Sequence, residues 1–389
     1  MTGSTPSAKT IGLSDRIIAD IKANGPIGLD SYMAACLGDT DHGYYFGKDP
    51  FGTDGDFITA PEISGLFGEM CGLYLAHMFE LSGNPTNAEI IELGPGRGTL
   101  MRDMRHVWNM VMPALSQLPV NLVETSPSLR KRQARTLAPL EPVWHDNLAS
   151  CPDAPLFGIA NEFFDALPVR QVIWRTKADN AGTAKGGWHH RLVGLDNDEL
   201  CFVDGEELGA IEYANINLTL PETPAEGMIA EICPTADDVI AALSGHIARR
   251  GGAFLIIDYG RNGNGGDSLQ AVADHKPVDV FHQAGSADLS HWVDFAALSR
   301  CAKNHRCRLI GPVPQGRFLM RIGLASRAEQ AAAATDNEQR RALLAAVDRL
   351  TSPAQMGEVF KVALLVPDGE GTPPGFDETG EANNGKETI

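Results

Sequence analysis

The chain has 389 residues, 32 Lys and Arg against 50 Asp and Glu, a formal net charge of -18, and 43% hydrophobic and 21% charged residues. Those proportions describe a soluble globular protein and exclude a fibre, a peptide-sized scaffold and a wholly disordered chain. The acid excess argues against a nucleic-acid binder, because affinity for phosphate backbones comes largely from Lys and Arg displacing counterions. Six acids and one Lys after Pro367 supply -5 of the charge, so the body is still acidic. The seven cysteines, at 36, 71, 151, 201, 233, 301 and 307, are odd in number and form no Cys-x-x-Cys pair. That pattern fits reduced thiols rather than a disulfide framework or zinc ribbon. No apolar run approaches the ~18 residues of a membrane span. The opening MTGSTPSAKT lacks both a secretory core and the Arg-rich look of a presequence, so a cytoplasmic protein without membrane insertion is expected.

In chain order, residues 1–10 read as disordered. An amphipathic helix runs from about Ser14 until Asn24-Gly25-Pro26 stops it, and a short helix follows Asp30. Residues 40–56 suit a long ordered loop. Thr59-Ala60-Pro61-Glu62 reads as a capping box opening a helix that continues to about Leu81. From there short apolar runs alternate with helical stretches. The expected strands are 88–93, 120–124, 142–145, 156–160 and 253–258, and the expected helices follow Thr99, Ser126, Asp165 and Thr235. Strand then helix, repeated, implies a doubly wound α/β sheet. Between 169 and 221 the texture changes to an antiparallel β insertion. Two later strands, 306–314 and 359–366, flank an Ala-rich helical stretch over 326–350 and complete a seven-stranded mixed sheet. The Gly-, Pro- and Glu-rich segment 367–389 reads as a disordered acidic tail.

The sharpest local feature is Glu89-Ile90-Ile91-Glu92-Leu93-Gly94-Pro95-Gly96-Arg97-Gly98-Thr99. A strand enters a turn with glycine at every second position, where the backbone bends sharply and a ligand approaches closely. A dinucleotide fold prefers a third small residue where Thr99 stands. Glu124, ending the next strand, suits two ribose hydroxyls. That role serves NAD and S-adenosylmethionine alike. Glu92 tilts the choice, since a carboxylate there repels a pyrophosphate and can hold the ammonium of a methionine moiety. Gly94, Gly96, Gly98 and Thr99 then cradle S-adenosylmethionine. Asp146 accepts from the adenine amino group or serves as a turn residue, and Asn147 or Leu148 offers a backbone N–H to a ring nitrogen. Asn161 belongs to the same cofactor pocket.

The fourth strand ends in Asn161-Glu162-Phe163-Phe164-Asp165-Ala166-Leu167-Pro168. Ligands of open α/β sheets bind outside the carboxyl ends of strands, so this segment borders the donor methyl. If the acceptor is an arginine, carboxylates that accept from its two non-attacking nitrogens draw charge from the third and fix its direction. Glu162 and Asp165 fit that catalytic role, with Glu62 or Asp258 in support; Asp165 as a helix cap is the plainer reading. Phe163 borders the acceptor, and Asp258 and Tyr259 lie at the pocket rim. His275, His282 and His291 match no ligand spacing, so no metal is expected.

Together ELGPGRGTL (92–100), GDFITAPEISGLFGE (55–69), NEFFDALPV (161–169), IDYG (257–260) and DHKPVDV (274–280) resemble the MidA family of methyltransferases over about 11–367. The resemblance implies a Rossmann-like, seven-stranded class I fold with its last strand antiparallel, a methyltransferase domain at 83–366, and an extension at 11–82 covering the cofactor pocket. It implies S-adenosylmethionine as donor and symmetric dimethylation of an arginine on a hydrophilic-arm subunit of respiratory complex I, with eukaryotic members in the mitochondrial matrix. Within the extension Glu69 or Phe57 is placed to touch donor or substrate. Glu62 reads first as a capping-box member and second as a substrate contact. A nicotinamide dehydrogenase, a methyltransferase of small molecules or amides, and a non-catalytic assembly chaperone are the competing readings. Oligomeric state is open, and a homodimer is compatible with the sequence.

Overall fold

In the computed structural model of the chain, residues 12–47, 59–178, 184–216, 220–263, 266–369 and 371–376 are described. Positions 1–10, most of the 40–56 loop, Phe57 and residues 377–389 of the expected tail lie outside them. The chain divides into two units, one of 1–49, 168–233 and 266–290, the other of 50–167, 234–265 and 291–389. The expected extension at 11–82 is therefore shared between them.

In the first unit, helices Leu13–Asn24 and Leu29–Gly38 accompany a five-stranded sheet of Ile27–Gly28, Arg170–Ala178, Ala184–Asp196, Glu199–Glu207 and Ile229–Ile232. Every pairing in it is antiparallel. Asn197 and Asp198 join two strands with φ of 48° and 70°, the doubly left-handed turn whose twist matches a tight hairpin. Trp188 packs with Val172, Leu220 and Ala230, and meets Trp174 edge to face at 5.5 Å.

The second unit holds the main sheet. Its strands are β1 Glu89–Leu93, β2 Val120–Val123, β3 Val143–His145, β4 Leu156–Asn161, β5 Gly252–Arg261, β6 Val293–Asp294, β7 Cys307–Pro314 and β8 Phe360–Pro367. The order across the sheet is β7-β8-β5-β4-β1-β2-β3, with β6 paired to β5. Strands β1 to β5 run parallel, and β8 is antiparallel to both β5 and β7. Each expected strand is present; the eighth, β6, is two residues long and carries no periodicity to betray it.

Both faces of the sheet are covered, as strands with continuous apolar runs require. One face buries Ile90, Leu122, Phe157, Ile159, Leu255, Ile257, Val362 and Leu364 in one cluster with helices α2 (Gly65–Leu81) and α3 (Thr99–Val111). Alternate residues on the other face, Ile91, Phe254, Ile256, Ala363 and Leu365, are also buried. Helix α2 begins later than expected. A separate turn, α1 (Ala60–Ile63), precedes it, and extended Ser64 breaks the run and caps α2 by accepting from the Leu66 N–H. Helix α4 (Pro127–Leu137) is capped by Ser126, as the sequence suggests. No helix follows Asp165; turns lead into the strand at Arg170. The Ala-rich stretch splits into Leu324–Ala333 and Asn337–Thr351, with Asp336 capping the second. Past β8, Phe376 is buried against Tyr74 and Phe318, although the sequence placed a disordered tail from 367. Among the described residues no helix is long and apolar enough to cross a membrane.

Helices α2 and α3 approach closely at Gly72, where an added Cβ would lie 2.7 Å from Val107 Cγ1 and 2.9 Å from Met104 Cα. The Trp108 indole N–H donates to the Gly72 carbonyl at 2.7 Å across the same contact. Gly72→Ala is expected to cost about 1–3 kcal/mol of unfolding free energy through overpacking, read by urea denaturation.

Candidate active site

Leu93 delivers the chain into a turn where Gly94, Gly96 and Gly98 have φ of 60°, 50° and 80°, a region that L side chains avoid. The Gly94 N–H continues the ladder to the Val123 carbonyl at 3.1 Å, and Gly98 N–H closes on Pro95 at 2.7 Å. A Cβ at Gly94 would lie 2.8 Å from Phe163 Cδ2, so the Phe163 ring rests on the turn. Thr99 opens α3, and its hydroxyl donates to Glu62 Oε1 at 2.7 Å. Arg97 Nη1 is 3.5 Å from Glu62 Oε2. Glu62 is thus a strut on the glycine turn rather than a capping-box member, and Thr59 makes no side-chain cap.

Glu92 is 2% exposed, and among the described residues its Oε2 has no hydrogen-bond partner. Burial pushes its carboxyl up to about 8. Asn161 Oδ1 is likewise buried without a donor among the described residues, and Asn161 ends the neighbouring strand, where Leu93 faces Ala160. Two unmet acceptors at the ends of adjacent parallel strands suit a ligand that carries several N–H donors.

Glu124 directly follows β2 and is 8% exposed. Its Oε1 accepts from Ser126 N–H at 2.8 Å and its Oε2 from Gln133 Nε2 at 3.1 Å. Burial raises this carboxyl and those two donors oppose the rise. Arg130 donates to the Glu124 carbonyl and pairs with Asp146 at 2.6 Å. The Asp146 side chain is 78% exposed, and Asn147 caps the turn Leu148–Ser150 through Ala149 N–H. Sequence reasoning missed Arg130 and Gln133, whose polar side chains on a surface-patterned helix carry no signal by themselves.

Glu162 has φ of 51°, a strained position for a non-glycine residue of the kind that clusters at functional sites. Its Oε1 accepts from Ala60 N–H at 3.1 Å and Asn161 Nδ2 at 3.0 Å. Among the described residues nothing donates to Oε2. Burial raises its carboxyl. Asp258, fully buried, accepts through Oδ2 from the N–H groups of Phe163, Phe164 and Asp165 at 3.1, 2.9 and 3.3 Å, and through Oδ1 from Tyr259 N–H at 2.9 Å. Burial, then repulsion from Glu162, raises its carboxyl. With four N–H donors engaged, Asp258 pins the 163–165 segment.

Asp165 is buried, and its carbonyl accepts from the His291 N–H at 3.0 Å. Tyr259 packs edge-on against Phe360 at 5.7 Å. Glu69 pairs with Arg327 at 2.7 Å. The structure therefore gathers Glu92, the glycine turn, Glu124, Asn161, Glu162, Phe163 and Glu62 about the carboxyl ends of β1, β2 and β4, while Glu69, Tyr259 and Asp146 have partners of their own.

An acid whose folded state holds its proton more tightly than the unfolded chain loses stability as pH rises between the two values. For Glu92 that window runs from about 4.5 to about 8. In the ligand-free protein Glu92→Gln is expected to flatten this decline and to melt above the wild type at about pH 9, with scanning fluorimetry as the measurement.

Buried unmet acceptors at Glu92 and Asn161, a terminal acid at Glu124 and a left-handed glycine turn fit the ammonium, ribose and backbone-hugging parts of S-adenosylmethionine. A family model described as "Putative S-adenosyl-L-methionine-dependent methyltransferase" matches residues 70–313. "Protein arginine methyltransferase NDUFAF7, mitochondrial" of Homo sapiens is 35% identical over 383 residues, covering 89% of this chain and 81% of that protein. The homologue of Drosophila melanogaster is 32% identical over 391 residues, covering 91% and 85%. A crystal structure of a COG1565 superfamily member from Burkholderia thailandensis bound to S-adenosyl-homocysteine aligns with a TM-score of 0.76 at 26% identity, covering 94% of this chain and 92% of that one. On its sequence, its sheet and its strand-end acceptors, the chain belongs to this family of S-adenosylmethionine-dependent methyltransferases.

Proposed function

We propose that the protein is a class I protein arginine methyltransferase that makes symmetric dimethylarginine on a hydrophilic-arm subunit of respiratory complex I. The observation that carries the acceptor reading is Glu162, held in left-handed backbone at the end of β4 with Oε1 anchored by two donors and Oε2 open among the described residues. The names of the relatives, protein arginine methyltransferases from human and fly, support it.

S-Adenosylmethionine supplies an electrophilic methyl group on a sulfonium. Glu92 and Asn161 Oδ1 hold its ammonium, Glu124 accepts from the ribose hydroxyls, and Gly94, Gly96 and Gly98 admit the ligand against the backbone. A guanidinium is always protonated in solution and its lone pairs are delocalised. Glu162 counters both obstacles: its carboxylate accepts from a non-attacking nitrogen, localises charge there and directs the remaining nitrogen along the line of displacement. Asp165 stands three residues on and Asp258 fixes the turn that carries both. Phe163, lying on Gly94, forms a wall between the donor turn and the acceptor. Asp146 and Asn147 are assigned to the adenine end, with Asp146 released from Arg130.

Glu162→Gln keeps the shape and removes the charge, so S-adenosylhomocysteine binding is expected to persist while turnover falls roughly 10²–10³-fold. Because Glu162 acts ionised and burial raises its carboxyl, wild-type turnover is expected to fall as pH drops through that raised value. The measurement is mass spectrometry of complex I subunits incubated with isotopically labelled donor. Label on a small molecule or an amide, or wild-type turnover by the variant, counts against this reading.

Gly96→Val, at φ of 50°, is expected to abolish donor binding, since a β-branched residue there is a severe outlier. Calorimetric titration with S-adenosylhomocysteine reads the loss. Complex I assembly that survives in cells carrying a variant with no detectable methylation would instead point to a chaperone.

A further inference from the structure

Gln133 sits on α4 with 0% exposure, and its amide joins three separate stretches of chain. Its Nε2 donates to the Gly96 carbonyl at 2.8 Å and to Glu124 Oε2 at 3.1 Å. Its Oε1 accepts from Trp144 Nε1 at 2.8 Å. An indole N–H can only donate, so the amide oxygen must face Trp144 and the NH₂ must face the other two groups, both of which are acceptors. Only one orientation of the amide satisfies all three. The stretches it joins are the glycine turn after β1, the acid at the end of β2, and β3.

We propose that Gln133 is a positioning residue for donor binding, clamping the glycine turn at Gly96 while aiming the Glu124 carboxylate at the ribose. The inference deepens the S-adenosylmethionine reading of the site and rests on it. Glu124 has two oxygens to offer two hydroxyls, and each already receives one protein hydrogen bond. Those bonds fix the plane of the carboxylate and favour its charged form against the cost of burial. The Ser126 N–H is backbone and comes with the cap of α4, so Gln133 is the side chain that sets the other oxygen. The same NH₂ group draws in the carbonyl of Gly96, the middle glycine of the turn. Donor turn and ribose acid are thus held at one spacing by a single buried amide. Removing it leaves Gly96 O and Glu124 Oε2 without their donor inside the protein.

The test is calorimetric titration of the full chain with S-adenosylhomocysteine, for wild type and Gln133→Leu, between about pH 6 and pH 9. Gln133→Leu is expected to bind roughly tenfold or more weakly, the scale of a lost hydrogen bond to a charged group. The deficit is expected to widen as pH falls, because Glu124 without this donor protonates at a higher pH. A merely structural packing role would weaken binding equally at every pH, and that result, or affinity equal to wild type, overturns the inference. Absence of binding by the wild type overturns the donor reading together with this inference, whereas wild-type binding beside an unaffected variant overturns this inference alone. Should Gln133→Leu fail to fold, Trp144→Phe keeps the ring and frees the amide to turn. It is expected to show a smaller loss with the same pH trend, and wild-type affinity there likewise overturns the proposal.

Discussion

Glu92 is a carboxyl group buried, among the described residues, without a counter-charge, and the construction around it follows from the need to complete it. Parallel strands that end together leave their last side chains beyond the reach of the ladder. In this sheet the chain leaves β1 toward β2 and β3 on one side and returns to β4 on the other. That reversal opens a crevice at the carboxyl ends of β1 and β4. Glu92 and Asn161 lie near the ends of these adjacent strands with acceptors that no described residue meets. Burying such groups costs free energy unless a partner arrives, so the ligand-free site stores a deficit that a cationic, N–H-rich ligand repays.

Two devices keep the crevice in shape. The short helix α1 reaches both of its rims: Ala60 N–H holds Glu162, and Glu62 holds Thr99 and Arg97. A four-residue helix has no stability of its own, so these contacts hold it as much as it holds them. The glycine turn and Glu162 are thereby coupled through one small element. The second device is Asp258, whose carboxylate gathers four backbone N–H groups and sets the 163–165 turn. Glu162 remains in left-handed backbone because its surroundings determine it from both sides.

Methyl transfer by in-line displacement asks a protein mainly for positioning. The side chains around this crevice answer that demand with fixed hydrogen bonds rather than with mobile charges. Glu124 is held through both oxygens, Phe163 lies on Gly94, and Glu162 is anchored through one oxygen alone. Among the described residues the other Glu162 oxygen receives no donor. A net charge of -18 gives the protein a field that attracts cationic partners over a longer range than any single contact.

The strands of the main sheet, the glycine turn and the two acids Glu92 and Glu124 were legible in the amino-acid order, because period, turn chemistry and strand-end position are local properties. Glu162 could be singled out as the residue just past a strand, but its left-handed backbone could not. The tertiary structure alone decided that Glu62 braces the glycine turn instead of capping a helix, that Asp258 binds backbone, that Glu69 pairs with Arg327, and that Phe376 packs into the core. A carboxylate's role depends on which donors lie within about 3 Å of it, and several of those donors, such as Thr99 for Glu62, the 163–165 N–H groups for Asp258 and Arg327 for Glu69, come from residues tens to hundreds of positions away. Gln133 shows the limit most plainly: nothing near it in sequence distinguishes a surface glutamine from the buried amide that ties Gly96, Glu124 and Trp144 together.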